Sequence, residues 1–414
     1  MSRKRRTRKL TRTNLSVLAQ VCNLIPAFLT PKLAREFGVD KKARTFSPWS
    51  HVVALLYAQL THAMSLIDAC DGLRHHAGKL SRVRGATPPS KNALSHANRG
   101  RDAAMAERLF WDALAHLTGL CPRFGGRTFK GMPRRFKRAV HAVDSSTIQL
   151  AANCIDWARH RRRKAAAKLH LRLNLRNFLP AFAIIDTAKH NDNKRARELC
   201  AGLARGEIVV FDKAYVDFKH LFDMTLRGVF WVTRTKSNMK FRVKKRLLKK
   251  PVGKILRDDL IVLKGKISHK RYPEVMRRVR AIVEIEGQER EMDFLTNNLA
   301  WAPASIADLY KSRWEIEVFF KEIKQTLQLC DFLGHNKNAV LWQVWTALLL
   351  YLLLRFLAFT NHWSHGFKRF FCLMRSSLWD GVRLTSLAAL CGTAGGVPAS
   401  HAKPQQLYLP GFEP

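Results

Sequence analysis

Between residues 310 and 324 the chain reads Tyr-Lys-Ser-Arg-Trp-Glu-Ile-Glu-Val-Phe-Phe-Lys-Glu-Ile-Lys. Tyr310, Arg313, Glu317 and Lys324 stand at offsets 0, 3, 7 and 14, which at about 100° per helical residue places them within roughly 60° of one another. Ile316, Phe319, Phe320, Ile323 and Leu327 fill the adjoining sector, the apolar stripe of a helix that must pack on a core. Ser305 with Asp308 three residues on predicts the capped start of this helix. An acid flanked by two cations and a ring therefore runs along the edge of a buried face. Taken alone, such a stripe also describes an ordinary amphipathic helix with a solvated charged edge. What decides between the two is whether matching acids occur upstream.

The surrounding chain is strongly cationic. Its 414 residues carry 73 Lys and Arg against 31 Asp and Glu, a formal charge of +42, yet 47% of them are hydrophobic. That combination describes a folded protein of two or three domains wrapped in positive charge, and it points to a polyanionic partner, nucleic acid first and an anionic membrane surface second. The eight cysteines are scattered without C-x-x-C pairs or zinc spacing, which suits reduced thiols in a cytosol. The basic N-terminus lacks the apolar core of a secretory signal. Val340 to Leu354 is an uncharged run of 15 residues, interrupted by Gln343 and Thr346. It falls short of the roughly 20 residues of a bilayer span and reads as a buried core helix.

Composition and period divide the chain. Residues 1–12 form a basic arm expected to be disordered and able to lie along phosphates. Residues 13–130 are helical in pattern, with Ser90 to Arg99 reading as a capped helix with a polar face, so a DNA-binding domain is expected there. Residues 131–360 change period. Short strands at Ala139–Val143, 168–175 and 181–186 are followed by strand–helix alternation, with Glu207–Phe211 and Val229–Thr233 as further strands. These predict a mixed sheet flanked by helices. A strand-rich insertion is expected at about 237–298, crowded at its start with Lys240, Arg242, Lys244, Lys245, Arg246, Lys249 and Lys250. Residues 361–414 form a basic C-terminal segment of no readable function.

Asp144 and Asp212 each directly follow an apolar run, and Glu317 sits on the helix already described. A strand-end Asp is ordinarily a turn residue or a cap. Acids at the ends of adjacent strands, about 4.8 Å apart, can instead converge with a third from a helix packed across that edge. Three such acids would repel one another unless cations bridged them, and Mg²⁺ favours oxygen ligands of this kind.

With these positions in place, the chain resembles a DDE transposase of the bacterial insertion-sequence-four family. Its signature of Tyr, two residues, Arg, three residues, Glu, six residues, Lys is met by Tyr310, Arg313, Glu317 and Lys324. Asp144-Ser-Ser-Thr matches the first acid. Phe211-Asp212-Lys-Ala-Tyr215 matches the second, with Ala214 where glycine is common. Thr296-Asn297-Asn298 and Phe332-Leu-Gly334 agree as surroundings, and the likeness covers roughly residues 10–360. It implies an RNase H-like catalytic domain with a strand-rich insertion before the Glu-bearing helix. It also implies nicking at the 3′ ends of an element and attack by the freed 3′-hydroxyl on target DNA. By residue-for-residue carry-over, Asp144, Asp212 and Glu317 would hold two Mg²⁺ ions, with Mn²⁺ an expected substitute. Tyr310, Arg313 and Lys324 would contact phosphates, and Trp314 would stack on a displaced base or pack on the sheet. A homodimer on paired ends of double-stranded DNA, cytoplasmic and away from membranes, goes with this reading. An RNase H-like nuclease without strand transfer and a non-catalytic DNA-binding derivative are the alternatives. His141 reads as structural, while Lys168 and His170 share one strand face, open between DNA contact and solvent.

Overall fold

The computed structural model describes residues 10–391 apart from short stretches at 42–44, 127–131, 151–153, 155–157, 162–163, 188–191, 286, 328 and 330–331. Most of the N-terminal arm and the end of the C-terminal segment thus lie outside the described residues. The chain divides into two compact units, one drawn from residues 1–125, 148–166 and 321–406, the other from 126–147, 167–320 and 407–414.

The first unit is helical. Its N-terminal part holds α1 (Val17–Cys22), α2 (Leu29–Glu36), α3 (Pro48–Thr61), α4 (Leu66–His75), α5 (Lys91–Gly100) and α6 (Ala104–Leu120). Ser16, Ser47, Ser65 and Ser90 cap α1, α3, α4 and α5 by accepting from a backbone N–H three residues on. On α5 the expected polar face is split. Lys91, Asn92, His96 and Arg99 are exposed, whereas Asn98 is buried and its Oδ1 pairs with His51 Nε2 at 2.8 Å.

The strands of a mixed sheet are β1 (Val140–Leu150), β2 (Arg159–Arg161), β3 (Lys164–Asn174), β4 (Leu179–Thr187), β5 (Ile208–Phe211), β6 (Phe230–Arg234), β7 (Phe241–Arg246), β8 (Ile255–Leu263), β9 (Met276–Ile285) and β10 (Gln288–Thr296), all in the second unit except for residues 148–166, which belong to the first. Among the described residues the order is β2-β3-β1-β5-β6-β10-β9-β8-β7, with β4 also pairing β3. β3 and β4 are antiparallel, while β5 runs parallel to both β1 and β6. The succession β4-β3-β1-β5-β6 is the RNase H-like arrangement, with α7 (Asp192–Cys200) and α8 (Phe218–Leu226) serving as crossovers before β5 and β6. Ala196, Leu199, Leu221 and Met224 of these helices pack with Val143, Val209, Phe211 and Trp231 in one apolar cluster.

The strand-rich insertion expected before the Glu-bearing helix is present, and its strands extend the central sheet. β10 pairs antiparallel with β6, and β9, β8 and β7 continue the same sheet outward. A short helix, α9 (Lys266–Arg271), links β8 to β9. Buried charge pairs tie these strands together. Arg277 forks onto Asp258 at 2.7 and 2.6 Å and also donates to the carbonyls of Leu299 and Trp301. Asp293 receives both Arg278 and Arg280. The edge strand β7 exposes Arg242, Lys244, Lys245 and Arg246, a charged rim that deters edge-to-edge pairing. Asn297 joins the layers, accepting from Trp231 N and donating to Thr225 Oγ1 and the Val229 carbonyl.

Beyond β10 come α10 (Pro303–Ser312) and α11 (Trp314–Lys321), then a π-helical turn at Glu322–Thr326. The start of α10 differs from expectation. Ala302 is the cap residue with Pro303 in the first turn, and Ser305 lies inside the helix. Proline fits there because its missing N–H would have no intrahelical partner. The apolar run forms α12 (Lys337–Thr360), which belongs to the helical unit rather than to the sheet unit. It is long and apolar enough to cross a membrane, but 89% of its most apolar window is buried inside the protein. Gln343 interrupts it because its Oε1 accepts the Leu333 N–H at 2.7 Å, and Trp342 Nε1 donates to the Arg101 carbonyl. Gly334 lies so close to Ala339 that an added Cβ would sit 2.5 Å from that residue's own.

Arg277 and Asp258 have side chains only 5% and 6% exposed, so Asp258→Ala leaves a buried guanidinium half-unpaired. That change should cost about 3–5 kcal/mol, read as a lower denaturant midpoint, whereas Glu289→Gln at the exposed pair with Lys254 should leave the midpoint unchanged.

Candidate active site

The pairing of β1 with β5 ends in register at Val143↔Phe211. One step further along each chain stand Asp144 and Asp212. Val143 and Phe211 both enter the α7/α8 cluster, so by strand alternation the two acids face the opposite side of the sheet. That side carries α10, which packs across β5, β6, β9 and β10. Asp144 does not follow its strand as the apolar run suggested. It lies within β1, which continues to Leu150.

The helices supply the remaining groups. Tyr310 at the end of α10 donates its hydroxyl to Asp212 Oδ1 at 3.2 Å, and its ring lies 5.0 Å from that of Phe294. Arg313 occupies the junction of α10 and α11, where bonds from Arg313 N to the Tyr310 carbonyl and from Ile316 N to the Arg313 carbonyl tighten the turn. Its guanidinium donates NH1 to Asp144 Oδ2 at 2.9 Å and NH2 to Glu317 Oε1 at 2.7 Å. Arg234, at the end of β6, brings Nε to 3.7 Å from Asp212 Oδ1. The structure thus joins Asp144, Asp212, Glu317, Tyr310 and Arg313 in one network. Arg234 is the member that sequence reasoning missed. Its only local signal is a cation at the end of a strand parallel to those bearing the acids.

Trp314 is 40% exposed, so it does not serve as core packing. Lys324 lies in the π-helical turn of the helical unit, where burial pushes its ammonium below the ordinary lysine value. His170 is fully buried and cannot be a solvent-face residue, while Lys168 beside it is half-buried. His141 is buried with Nε2 3.6 Å from Glu207 Oε1, and burial lowers its pKa, as suits a structural histidine.

Electrostatics follow from burial. The Asp144 carboxyl is pushed up to about 6, first by desolvation and further by the charges of Glu317 and Asp212, against the opposing pull of Arg313 and of the Ser145 N–H. For Arg313, burial works against the charge but is outweighed by Tyr310, Asp144 and Glu317, so its pKa rises. The Tyr310 hydroxyl is pushed up to about 12 by burial, so it acts as a donor at neutral pH.

A model of the transposase DDE domain matches residues 135–353, just over half of the chain. The chain belongs to the DDE transposase family. Residues 13–83 match a domain of unknown function. A putative transposase of Sinorhizobium fredii is 29% identical over 318 residues, covering 76% of this chain and 85% of the relative. A probable insertion-sequence transposase of Geobacillus stearothermophilus is 28% identical, with 54% of this chain and 58% of the relative covered. The IS4 transposase InsG of Escherichia coli is 25% identical over 46% of this chain and 43% of its own length. These relatives make the chain a DNA transposase of the insertion-sequence-four type. Among solved structures, a piggyBac transposase synaptic complex with hairpin DNA matches with a TM-score of 0.42 at 10% identity, over 91% of this chain and 80% of that one.

The raised Asp144 carboxyl has a signed consequence in the metal-free protein. A folded pKa above the unfolded value gives stability that is complete below about pH 4 and lost as pH rises through about 6. Asp144→Asn should therefore gain stability relative to the parent chain between pH 5 and 7, and no longer do so at pH 4. Denaturant midpoints across that range measure it.

Proposed function

We propose that Asp144, Asp212 and Glu317 form the catalytic carboxylates of an enzyme that binds the ends of its insertion sequence. The enzyme hydrolyses a phosphodiester at each 3′ end and joins the freed 3′-hydroxyls to target DNA. The observation that supports this most is the network itself. Three acids from two adjacent parallel strands and a packed helix meet two arginines and a tyrosine on one side of a sheet.

The family conventionally uses divalent metal ions, and the donor set suits them, because three carboxylates offer only hard oxygen ligands. Among the described residues no three acidic, histidine or cysteine side chains already stand close enough to hold an ion. A guanidinium occupies the space between two of the acids. We infer that Asp144, Asp212 and Glu317 would hold Mg²⁺, in the pair expected from the family, or Mn²⁺ in its place. When bound, such ions supply Lewis-acid activation of water and neutralise charge on the transferring phosphoryl group.

The remaining residues position DNA. Arg313 can fork onto two phosphate oxygens, a geometry lysine lacks. Arg234 and the Tyr310 hydroxyl, both on Asp212, are placed to share that phosphate. Lys324, seven residues past Glu317 in the chain, is the further phosphate contact we assign. Exposed Trp314 offers a ring on which a base pulled from the stack can rest. The rim of β7 and the exposed face of α5 supply sequence-independent grip, and a homodimer would hold paired ends.

Asp144→Asn, Asp212→Asn and Glu317→Gln should each abolish Mg²⁺-dependent cleavage of element ends while gel-shift affinity stays near the parent value. Retained cutting in any one variant removes that residue from the site. Arg313→Lys keeps the charge but loses the fork, and should slow cleavage by about 10²–10³. If it instead cut normally and bound DNA more weakly, Arg313 would be an anchor.

Replacing Lys244, Lys245 and Arg246 with Gln should flatten the dependence of DNA affinity on salt by about 0.9 log unit per lost phosphate contact, without altering which DNA end is preferred. Filter binding across a salt series measures both.

A further inference from the structure

Three arginines of the sheet unit, Arg277, Arg278 and Arg313, are buried against acids, and they differ in how completely their donors are used. Arg277 places Nε and NH2 on both oxygens of a single carboxylate and gives NH1 to two backbone carbonyls. All of its nitrogens are satisfied, and both acceptor oxygens of Asp258 meet the same planar group, the geometry of a permanent tie. Arg313 is arranged otherwise, and so is Arg278, which reaches Asp259 and Asp293 with one bond each and also has an unpartnered Nε. Arg313 reaches two different acids with one bond each, 2.9 Å to Asp144 and 2.7 Å to Glu317. Its Nε is buried without a hydrogen-bond partner. Each of the two carboxylates keeps an oxygen that Arg313 does not use.

What separates Arg313 from Arg278, which lies within β9, is its position. Arg313 sits where α10 gives way to α11, not in the middle of a continuous helix. Its side chain is 11% exposed, against 19% for Asp144 and 35% for Glu317. Removing the cation from between buried Asp144 and half-exposed Glu317 leaves two acids to repel at short range. Something positive must stand between them for this arrangement to persist.

We propose that Arg313 is a positioning residue that stands in for a cation between Asp144 and Glu317 in the metal-free transposase, and yields that place when a divalent ion binds. The inference rests on the catalytic reading of these acids. It adds that the acids are assembled before the ion arrives, and that ion binding must displace a bound guanidinium. Displacement lowers the affinity of the DNA-free protein for the ion. It also frees the arginine fork for a phosphate, so that ion and DNA favour each other's binding.

The test uses the full chain without DNA, with Mn²⁺ alone as the probe and free Mn²⁺ followed by electron paramagnetic resonance. Arg313→Met should bind Mn²⁺ about tenfold more tightly than the parent, because no cation competes for the site. Without metal it should melt at a lower temperature, and Mn²⁺ should raise its melting point by more than it raises the parent's. Should Arg313→Met fail to fold, Arg313→Lys serves, since one ammonium cannot span both acids, and Mn²⁺ should again bind more tightly than to the parent. Unchanged or weaker Mn²⁺ binding in the folded variant would overturn the proposal. Glu317→Gln and Asp144→Asn separate the two ideas. If neither lowers Mn²⁺ binding in the parent or the arginine variant, the catalytic reading fails first and this proposal falls with it.

Discussion

The site depends on a parallel pairing that stops. β1 and β5 run side by side through Val143↔Phe211, and the next residue on each chain is an aspartate. Because parallel strands keep the same residues level and alternate their faces together, those aspartates cannot avoid each other. They are pushed onto the side of the sheet opposite the α7/α8 core. Two carboxylates this close, with Glu317 nearby, are held only by positive charge and donated hydrogen bonds. Arg313, Arg234 and the Tyr310 hydroxyl provide them. The position of α10 follows from that requirement as much as from its apolar stripe, since Tyr310 both packs on Phe294 and caps Asp212.

In a chain of net charge +42 the scarce resource is acid, and its placement is informative. Asp258 and Asp259 lie buried and Asp293 half-buried in the outer strands, where each neutralises an arginine that would otherwise be stranded between strands. These pairs hold register across β8, β9 and β10, where alternation alone would tolerate a slip. Most of the excess cation is left for the surface, as on β7. The acids of the site are the other group, and they differ by standing where the β1/β5 pairing ends, with partners from β6, α10 and the α10–α11 junction. One set of buried charges fixes the scaffold, and the other is arranged so that its partners can change.

The helical unit solves a different problem. α12 is apolar on nearly all sides, so it must be surrounded. Asn338 and Trp342 donate to the carbonyls of Asn98 and Arg101, and Gln343 accepts from Leu333. The few polar groups of this helix are thereby satisfied inside protein, which is the condition for burying them at all. His51, buried against Asn98 and the Trp342 ring, has its pKa lowered to about 3 and remains neutral there. The same interior that hides the helix keeps this histidine from acting as a pH sensor.

The sequence by itself determined the candidate acids and most of the local structure. Alternation marked the strands, the helical offsets put Tyr310, Arg313 and Glu317 on one edge, and apolar runs ending in Asp144 and Asp212 marked two further acids. These are properties of neighbours in the chain, set by periodicity and by what each side chain can hydrogen-bond. Tertiary structure decided the pairings. Tyr310 meets Asp212 across 98 residues and Arg313 meets Asp144 across 169, distances over which no local pattern carries register. For that reason the arginine expected on phosphate is found on acid, Arg234 joins the site unannounced, and the strands of the expected insertion find their partner in β6. α12 likewise went to the helical unit because its all-round apolar surface names no partner, and only the fold supplies one.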